Sequence, residues 1–395
     1  MKKLFVVMMF PLLFAAVVFG QGEAEKYVGQ YQITGVPVTI TVTSDGGKLA
    51  LQATGQPKAE LELVSGENYT VKGTPFKVTF QMDAAGAVTG MTVHQGPGVD
   101  VPAAKINSLS EAPRDKSPHK SAFVTANGIK MNYLDWGGTG EVIIMLTGFG
   151  NDAHIFDEIA PSFSDKFHVI GLTRRGFGET DRPTSGYDTA TRVEDVRAFM
   201  DAQKITRATL IGHSLAGDEM TLFASLYPKR VNKLVYLDAA YDRTKMLTCA
   251  DELPAEIAPP AAIRMMREAM NCPGWADIVV KEMPAPDVYN VQVLTMRSAT
   301  KYRPEYKKVA APSLSIYADP EVAQFPASLT DETRKKLDTY WKEKRTPLSR
   351  ASMEQFRKEM KNAEVVEIKG STHYVFVGTY KDQVIKLVRD FLMKG

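Results

Sequence analysis

Ala208-Thr209-Leu210-Ile211-Gly212-His213-Ser214-Leu215-Ala216-Gly217 is the stretch on which the reading of the fold turns. Its first four residues are apolar or β-branched and read as a buried strand. A helical pattern follows from about Leu215 to Tyr227. Ser214 is thereby set on a tight strand-to-helix turn. Small neighbours let the two backbones approach there, and the turn lifts the hydroxyl clear of the sheet. The start of the helix offers backbone N–H groups and a partial positive charge, which suit a developing oxyanion. Ala216 stands where a G-x-S-x-G pattern has its second glycine, and Gly217 follows. The extra methyl bears on local packing more than on chemistry.

Around this turn, residues 121–395 alternate strands with helices, which predicts a mostly parallel sheet covered on both faces. Strands are expected at 122–125, 129–136, 142–146, 168–172, 233–237, 313–318 and 365–368. A helix is expected near His154 to Ser164. Another carries Val193, Val196, Met200 and Gln203 on one face. Between about 243 and 308 the sheet rhythm pauses among prolines and helical pieces, and this interval reads as a cap. Its methionines, with Trp275 and Tyr289, suit either an apolar pocket or simple packing on the body. Asp331 to Lys361 reads as one or two charged amphipathic helices. The final helix turns Tyr380, Val384, Leu387, Val388, Phe391 and Leu392 toward the core.

Residues 23–106 are different: seven or eight short strands separated by turns such as Ser44-Asp45-Gly46-Gly47 predict an antiparallel barrel or sandwich. Residues 107–120 read as a linker. Residues 1–20, with Lys2 and Lys3 ahead of an apolar run, read as a secretory signal peptide, so the protein is expected to be exported, periplasmic or extracellular, with no membrane span after cleavage. Removing them takes Lys+Arg from 48 to 46, against 46 Asp+Glu. That formal neutrality gives no basic excess to hold nucleic acid. Apolar content of 44% and charged content of 24% fit a globular chain, and 395 residues are enough for two domains. Cys249 and Cys272 are either one disulfide or two buried thiols. The oligomeric state is not legible.

Leu146-Thr147-Gly148-Phe149-Gly150, Arg174-Arg175-Gly176-Phe177-Gly178, the Ser214 turn and Gly370-Ser371-Thr372-His373 occur in one order over residues 121–395. Together they resemble the α/β-hydrolase family, with Ser214 on its nucleophile elbow. At the front, Tyr27-Val28-Gly29-Gln30-Tyr31, Gln52-Ala53-Thr54-Gly55-Gln56-Pro57 and Val88-Thr89-Gly90-Met91-Thr92-Val93-His94-Gln95 resemble the lipocalin-like accessory domain found on penicillin-binding-protein-like serine hydrolases. That resemblance implies an accessory role, either substrate gating or stabilisation.

A serine hydroxyl needs a base, usually histidine. Of six histidines, His94 and His119 are expected outside the hydrolase domain, His168 starts a strand, and His213 should point away from Ser214. His154 is either a helix-start residue or part of the pocket wall. His373 stands where the resemblance places the base. An acid must then hold the imidazole tautomer. Asp238, at the end of the strand after the elbow, is assigned, with Asp319 or Glu321 beyond the next strand as the alternative. The resemblance puts the oxyanion hole at the backbone N–H groups of Phe149 and Leu215, with the Thr147 hydroxyl holding the loop and Arg174 and Arg175 bracing it from beneath.

These residues predict a serine hydrolase acting on a small ester-like substrate or a related acyl bond through an acyl-enzyme. No metal or cofactor is implied. The same fold also hosts aminopeptidases, amidases and C–C bond hydrolases, and a non-catalytic binding protein on this scaffold is the reading from another class. A serine at the elbow argues against epoxide hydrolases and haloalkane dehalogenases, which need a carboxylate there.

Overall fold

The computed structural model describes residues 24–33, 39–53, 58–96, 99–107, 117–246, 288–322 and 331–394. Residues 1–20, both cysteines and most of the expected cap therefore lie outside the described residues.

Eight antiparallel strands form a closed barrel: β1 (Gly29–Ile33), β2 (Thr39–Asp45), β3 (Lys48–Ala53), β4 (Ala59–Ser65), β5 (Asn68–Val71), β6 (Lys77–Met82), β7 (Val88–Gly96) and β8 (Val99–Asn107). Closure decides between barrel and sandwich. It comes from β8 pairing with β1, for instance Ala104 opposite Gln32. Periodicity does not reveal β8, because Pro102 and two alanines interrupt its apolar pattern. Pro102 is accommodated opposite Thr92 of β7. Tyr27, Tyr31, Tyr69, Phe80 and Met91 are buried in the interior, with the Tyr27 and Phe80 rings 4.6 Å apart. Large side chains thus fill a barrel of this strand number.

The second sheet has eight strands: β9 (Lys120–Ala126), β10 (Ile129–Gly137), β11 (Val142–Leu146), β12 (His168–Leu172), β13 (Ala208–His213), β14 (Val231–Leu237), β15 (Ser313–Ala318) and β16 (Ala363–Ile368). Their spatial order is β16-β15-β14-β13-β11-β12-β10-β9. All neighbours from β12 to β16 pair in parallel; β10 runs antiparallel to both β9 and β12. One face buries Val193, Val196, Phe199 and Met200 of α1 (Thr189–Ala202), Met220 and Phe223 of α2 (Ala216–Leu226), and Met353 and Phe356 of a later helix. The other face is sealed by Phe156, Phe163, Phe376 and the Val384, Val388 and Phe391 stripe of the C-terminal helix. Two cores on two faces account for the continuous burial of β13 and β15 and of Ile143 to Leu146 in β11.

Three expectations are corrected. The segment near His154 to Ser164 is not one helix but two 3₁₀ turns, Ala153–Phe156 and Ala160–Phe163. Asp152 caps the first by accepting the His154 N–H, and Pro161, which lacks an N–H, starts the second. The end of the expected linker is body: Ser117 Oγ accepts from Trp136 Nε1 at 2.9 Å, and Lys120 opens β9. His119 therefore belongs to the α/β unit, its ring edge-on to Trp136 and 2% exposed. The exposed Pro118 and Lys120 on either side of it mask that burial in the sequence.

The described part of the cap interval includes α3 (Val288–Ala299). The charged stretch forms α4 (Asp331–Tyr340) and α5 (Thr346–Glu359), joined by a π-helical turn, Trp341–Arg345. The last helix is α6 (Lys381–Leu392). Among the described residues, no helix is long and apolar enough to cross a membrane.

Candidate active site

Ser214 follows β13 and precedes α2 with φ of +54°. A non-glycine residue in that region costs about 1–2 kcal/mol, so the surroundings must hold it there. The Ser214 N–H donates to Leu237 O at 3.2 Å, and its carbonyl accepts from Gly217 N at 3.0 Å and Arg243 Nη2 at 2.6 Å. Arg243 is in turn paired with buried Asp218 at 2.6 Å. Burial pushes the Asp218 carboxyl up to about 6, against the pull of Arg243.

The glycine pattern of the elbow also resolves. A Cβ on Gly217 would lie 2.0 Å from Ala239 O, so α2 crosses the end of β14 at backbone contact. A Cβ on Gly212 would lie 2.9 Å from the Ala216 Cβ. The Ala216 methyl occupies space that Gly212 leaves, and the close approach needing a glycine falls one residue later, at Gly217.

The structure brings Ser214, His373 and Asp238 together across 159 and 135 positions of sequence. Ser214 Oγ donates to His373 Nε2 at 2.8 Å, and His373 Nδ1 donates to Asp238 Oδ2 at 2.6 Å, with tautomers assigned from this network. Asp238, at φ of +47°, directly follows β14. Its other oxygen, Oδ1, accepts from Tyr241 Oη at 2.5 Å and Ala318 N at 2.9 Å. Burial and the facing carboxylate push the Tyr241 phenol well above its ordinary value, so it remains a donor.

The alternative acids are engaged elsewhere. Asp319 Oδ2 accepts from Gly370 N at 2.9 Å and Oδ1 from Glu321 N at 3.1 Å. Burial works against its ionisation, but these N–H groups and Lys369 hold it below the usual carboxylate range. Asp319 thus anchors the Gly370–His373 loop. Glu321 is exposed and pairs with Arg350 at 2.9 Å.

Leu215 is the residue before the first turn of α2, and Phe149 borders the same cavity as Ser214. Gly148 keeps the two close, since a Cβ on it would stand 3.1 Å from Ser214 Cβ and 2.6 Å from His213 Nδ1. The loop is held by Arg174, which donates to Thr147 O at 2.7 Å and Gly148 O at 2.8 Å. Fixing those carbonyls outward fixes the orientation of the peptide planes between them. The Thr147 hydroxyl, expected to hold the loop, has no hydrogen-bond partner among the described residues. Arg174 and Arg192 share buried Glu219, each at 2.8 Å, and Arg175 clasps Asp195 by two 2.6 Å bonds.

Sequence reasoning missed three contributors. His213 donates from Nε2 to His373 O at 3.1 Å and lies 4.6 Å from its ring. Burial, and then His373, pulls the His213 pKa well below the ordinary value, so it is a neutral brace for the loop bearing His373. Arg345 and Trp341 reach the cavity from the π-helical turn, a geometry no local pattern announces. The cavity encloses about 430 Å³ and is bordered by Ser214, Leu215, Phe149, Tyr241, Met296, Val322, Trp341 and Arg345. His154 is not on its wall; it pairs with Asp157.

Comparison with known proteins adds a family to this geometry. Residues 141–280 match the α/β hydrolase fold family, and residues 21–107 match a family described as a domain of unknown function (DUF3471). A non-heme chloroperoxidase of Streptomyces lividans is 34% identical over 137 residues, covering 34% of this chain and 50% of that protein. A 2-(acetamidomethylene)succinate hydrolase of Mesorhizobium japonicum is 28% identical, over 30% of this chain and 42% of that protein. An uncharacterized protein of Mycobacterium tuberculosis is also 28% identical, over 32% and 37%. The matches thus span half or less of these relatives' length. A solved structure of a probable hydrolytic enzyme from Pseudomonas aeruginosa is 18% identical with a TM-score of 0.49, covering 71% of this chain and 95% of that one. By its family match and its doubly covered sheet, the chain carries an α/β-hydrolase segment behind an eight-stranded antiparallel barrel.

Proposed function

We propose that the chain is an exported serine hydrolase that cleaves a carboxylic ester or related acyl bond of a small, partly apolar substrate. The observation that carries this reading is the unbroken hydrogen-bond path from Ser214 Oγ through His373 to Asp238. In it, Ser214 Oγ attacks the acyl carbon while its proton passes to His373 Nε2. Asp238 stabilises the resulting imidazolium. The Phe149 and Leu215 N–H groups receive the oxyanion. Collapse expels the leaving group with the proton from His373, and water, deprotonated by the same imidazole, releases the acyl group and restores Ser214.

The apolar border at Phe149, Met296 and Val322 supports a hydrocarbon acyl or alkyl group. A barrel domain ending near 107, an α/β body beginning near 117 and a lipocalin-like accessory role for the barrel belong to this proposal. The filled barrel core favours stabilisation over ligand carriage. A fluorophosphonate probe on the folded protein tests the nucleophile: an adduct at Ser214 is expected, and its absence would favour a binding protein. A panel of p-nitrophenyl esters of increasing chain length, run beside aminoacyl amides, then separates esterase from peptidase or amidase.

A further inference from the structure

Away from Ser214, three side chains from two segments converge. His119 lies just before β9; His154 and Asp157 are three apart on the 3₁₀ turn that follows the Phe149 loop. The Asp157 side chain is 1% exposed and that of His119 2%. His119 Nδ1 is 3.3 Å from Asp157 Oδ1, and His154 Nδ1 is 3.1 Å from Asp157 Oδ2. One donor atom from each residue lies within 4.8 Å of the other two. The two imidazoles meet edge to face at 5.0 Å, and Trp136 covers His119 from the far side.

The chain offers its own yardstick for these spacings. Its other His–Asp pairs, His373–Asp238, His94–Asp100 and His168–Asp135, stand at 2.6, 2.7 and 2.9 Å, as charge-assisted hydrogen bonds do. The pairs at Asp157 are wider. The His119 spacing, to Asp157 Oδ1, matches the edge of about 3.3 Å of a tetrahedron whose metal–ligand bonds are about 2.0–2.1 Å, and the His154 nitrogen faces the other carboxylate oxygen, Oδ2, at 3.1 Å. Two imidazole nitrogens and one carboxylate oxygen are a donor set that first-row divalent ions take, and a dication compensates a carboxylate buried this deeply.

We propose that His119, His154 and Asp157 bind one divalent transition ion, with zinc the best fit to the donor set. The ion would fasten the entry to β9 onto the turn behind the Phe149 loop. Its role is structural, and it stands independently of the serine chemistry.

The test uses the full chain, stripped with a chelator and retitrated with Zn²⁺ alone and Co²⁺ alone. One retained ion per chain, tetrahedral Co²⁺ visible bands and a raised Tm are expected. His119→Gln and His154→Gln each remove a ligand and should weaken binding by about a hundredfold or more, the upper end of the cost of losing an outer partner alone, while His373→Ala should leave it intact. The partly exposed His154 gives the milder variant and decides alone if His119→Gln does not fold. Failure to retain one equivalent, retention undiminished in His154→Gln, or loss only in His373→Ala would overturn the site.

Discussion

Replacing Asp238 with asparagine should invert the proton on His373, and the structure fixes which way the new amide must face. Asp238 Oδ1 accepts from two donors, Tyr241 Oη and Ala318 N. An asparagine must keep its carbonyl oxygen toward them. The opposite orientation would set an NH₂ group against two buried donors, at about 1–3 kcal/mol for each lost bond. Since the Tyr241 phenol stays protonated, alkaline pH does not relieve this constraint. The amide nitrogen therefore faces His373 Nδ1 and donates to it. The imidazole proton is driven to Nε2, 2.8 Å from Ser214 Oγ, where the ring can no longer accept the serine proton. The same inversion in other serine triads costs about 10⁴-fold in kcat, which corresponds to about 5.5 kcal/mol. KM should move little, because Asp238 acts through His373. The assay is kcat and KM on a p-nitrophenyl ester across neutral to alkaline pH, with circular dichroism and Tm to confirm folding. A folded Asp238→Asn enzyme within about tenfold of the parent kcat would refute the reasoning. Glu321→Gln, on an exposed side chain, is the matched control and should leave turnover unchanged.

Other outcomes follow from the same contacts. Gly217→Val sets a side chain where a Cβ already meets Ala239 O at 2.0 Å, so Tm should fall by several degrees, reflecting about 1–3 kcal/mol or more, by differential scanning calorimetry. His213 is buried with a lowered pKa, so the unfolded chain binds its proton first as pH falls. Stability should therefore be lost below the unfolded histidine value, about 6.5, at up to about 1.4 kcal/mol per pH unit. His213→Gln should remove that component from urea unfolding curves measured on either side of this pH, and an unchanged difference would contradict it. Arg174→Gln releases the Thr147 and Gly148 carbonyls and weakens the hold on Glu219, so kcat should drop about 10²-fold or more with folding still measurable by Tm.

The local elements were open to reading because each rests on short-range chemistry. The limits of β11, β12 and β15 follow from apolar runs bounded by turn residues, and the Ser214 turn follows from small residues between a strand and a helix. Period and turn chemistry are properties of neighbours in sequence. The N-terminal barrel shows where this stops: β8 carries a proline and a weak pattern, and only its pairing with β7 and β1 makes it a strand.

The remainder required tertiary structure because it depends on atoms brought together across long separations. Asp238, Asp319 and Glu321 are all carboxylates after sheet strands, and the place of Asp238 directly at a strand end favours it without excluding the other two. Three-dimensional packing puts Asp238 at 2.6 Å from His373 and gives Asp319 to the Gly370 N–H. His119 read as linker because the segment around it is polar, yet it lies buried beside Trp136 and Asp157. The sequence by itself determined the strands, the turn and the kinds of side chain that chemistry would need. The tertiary fold decided which of those side chains meet, since hydrogen bonds and buried charges are settled by distances that a one-dimensional pattern does not contain.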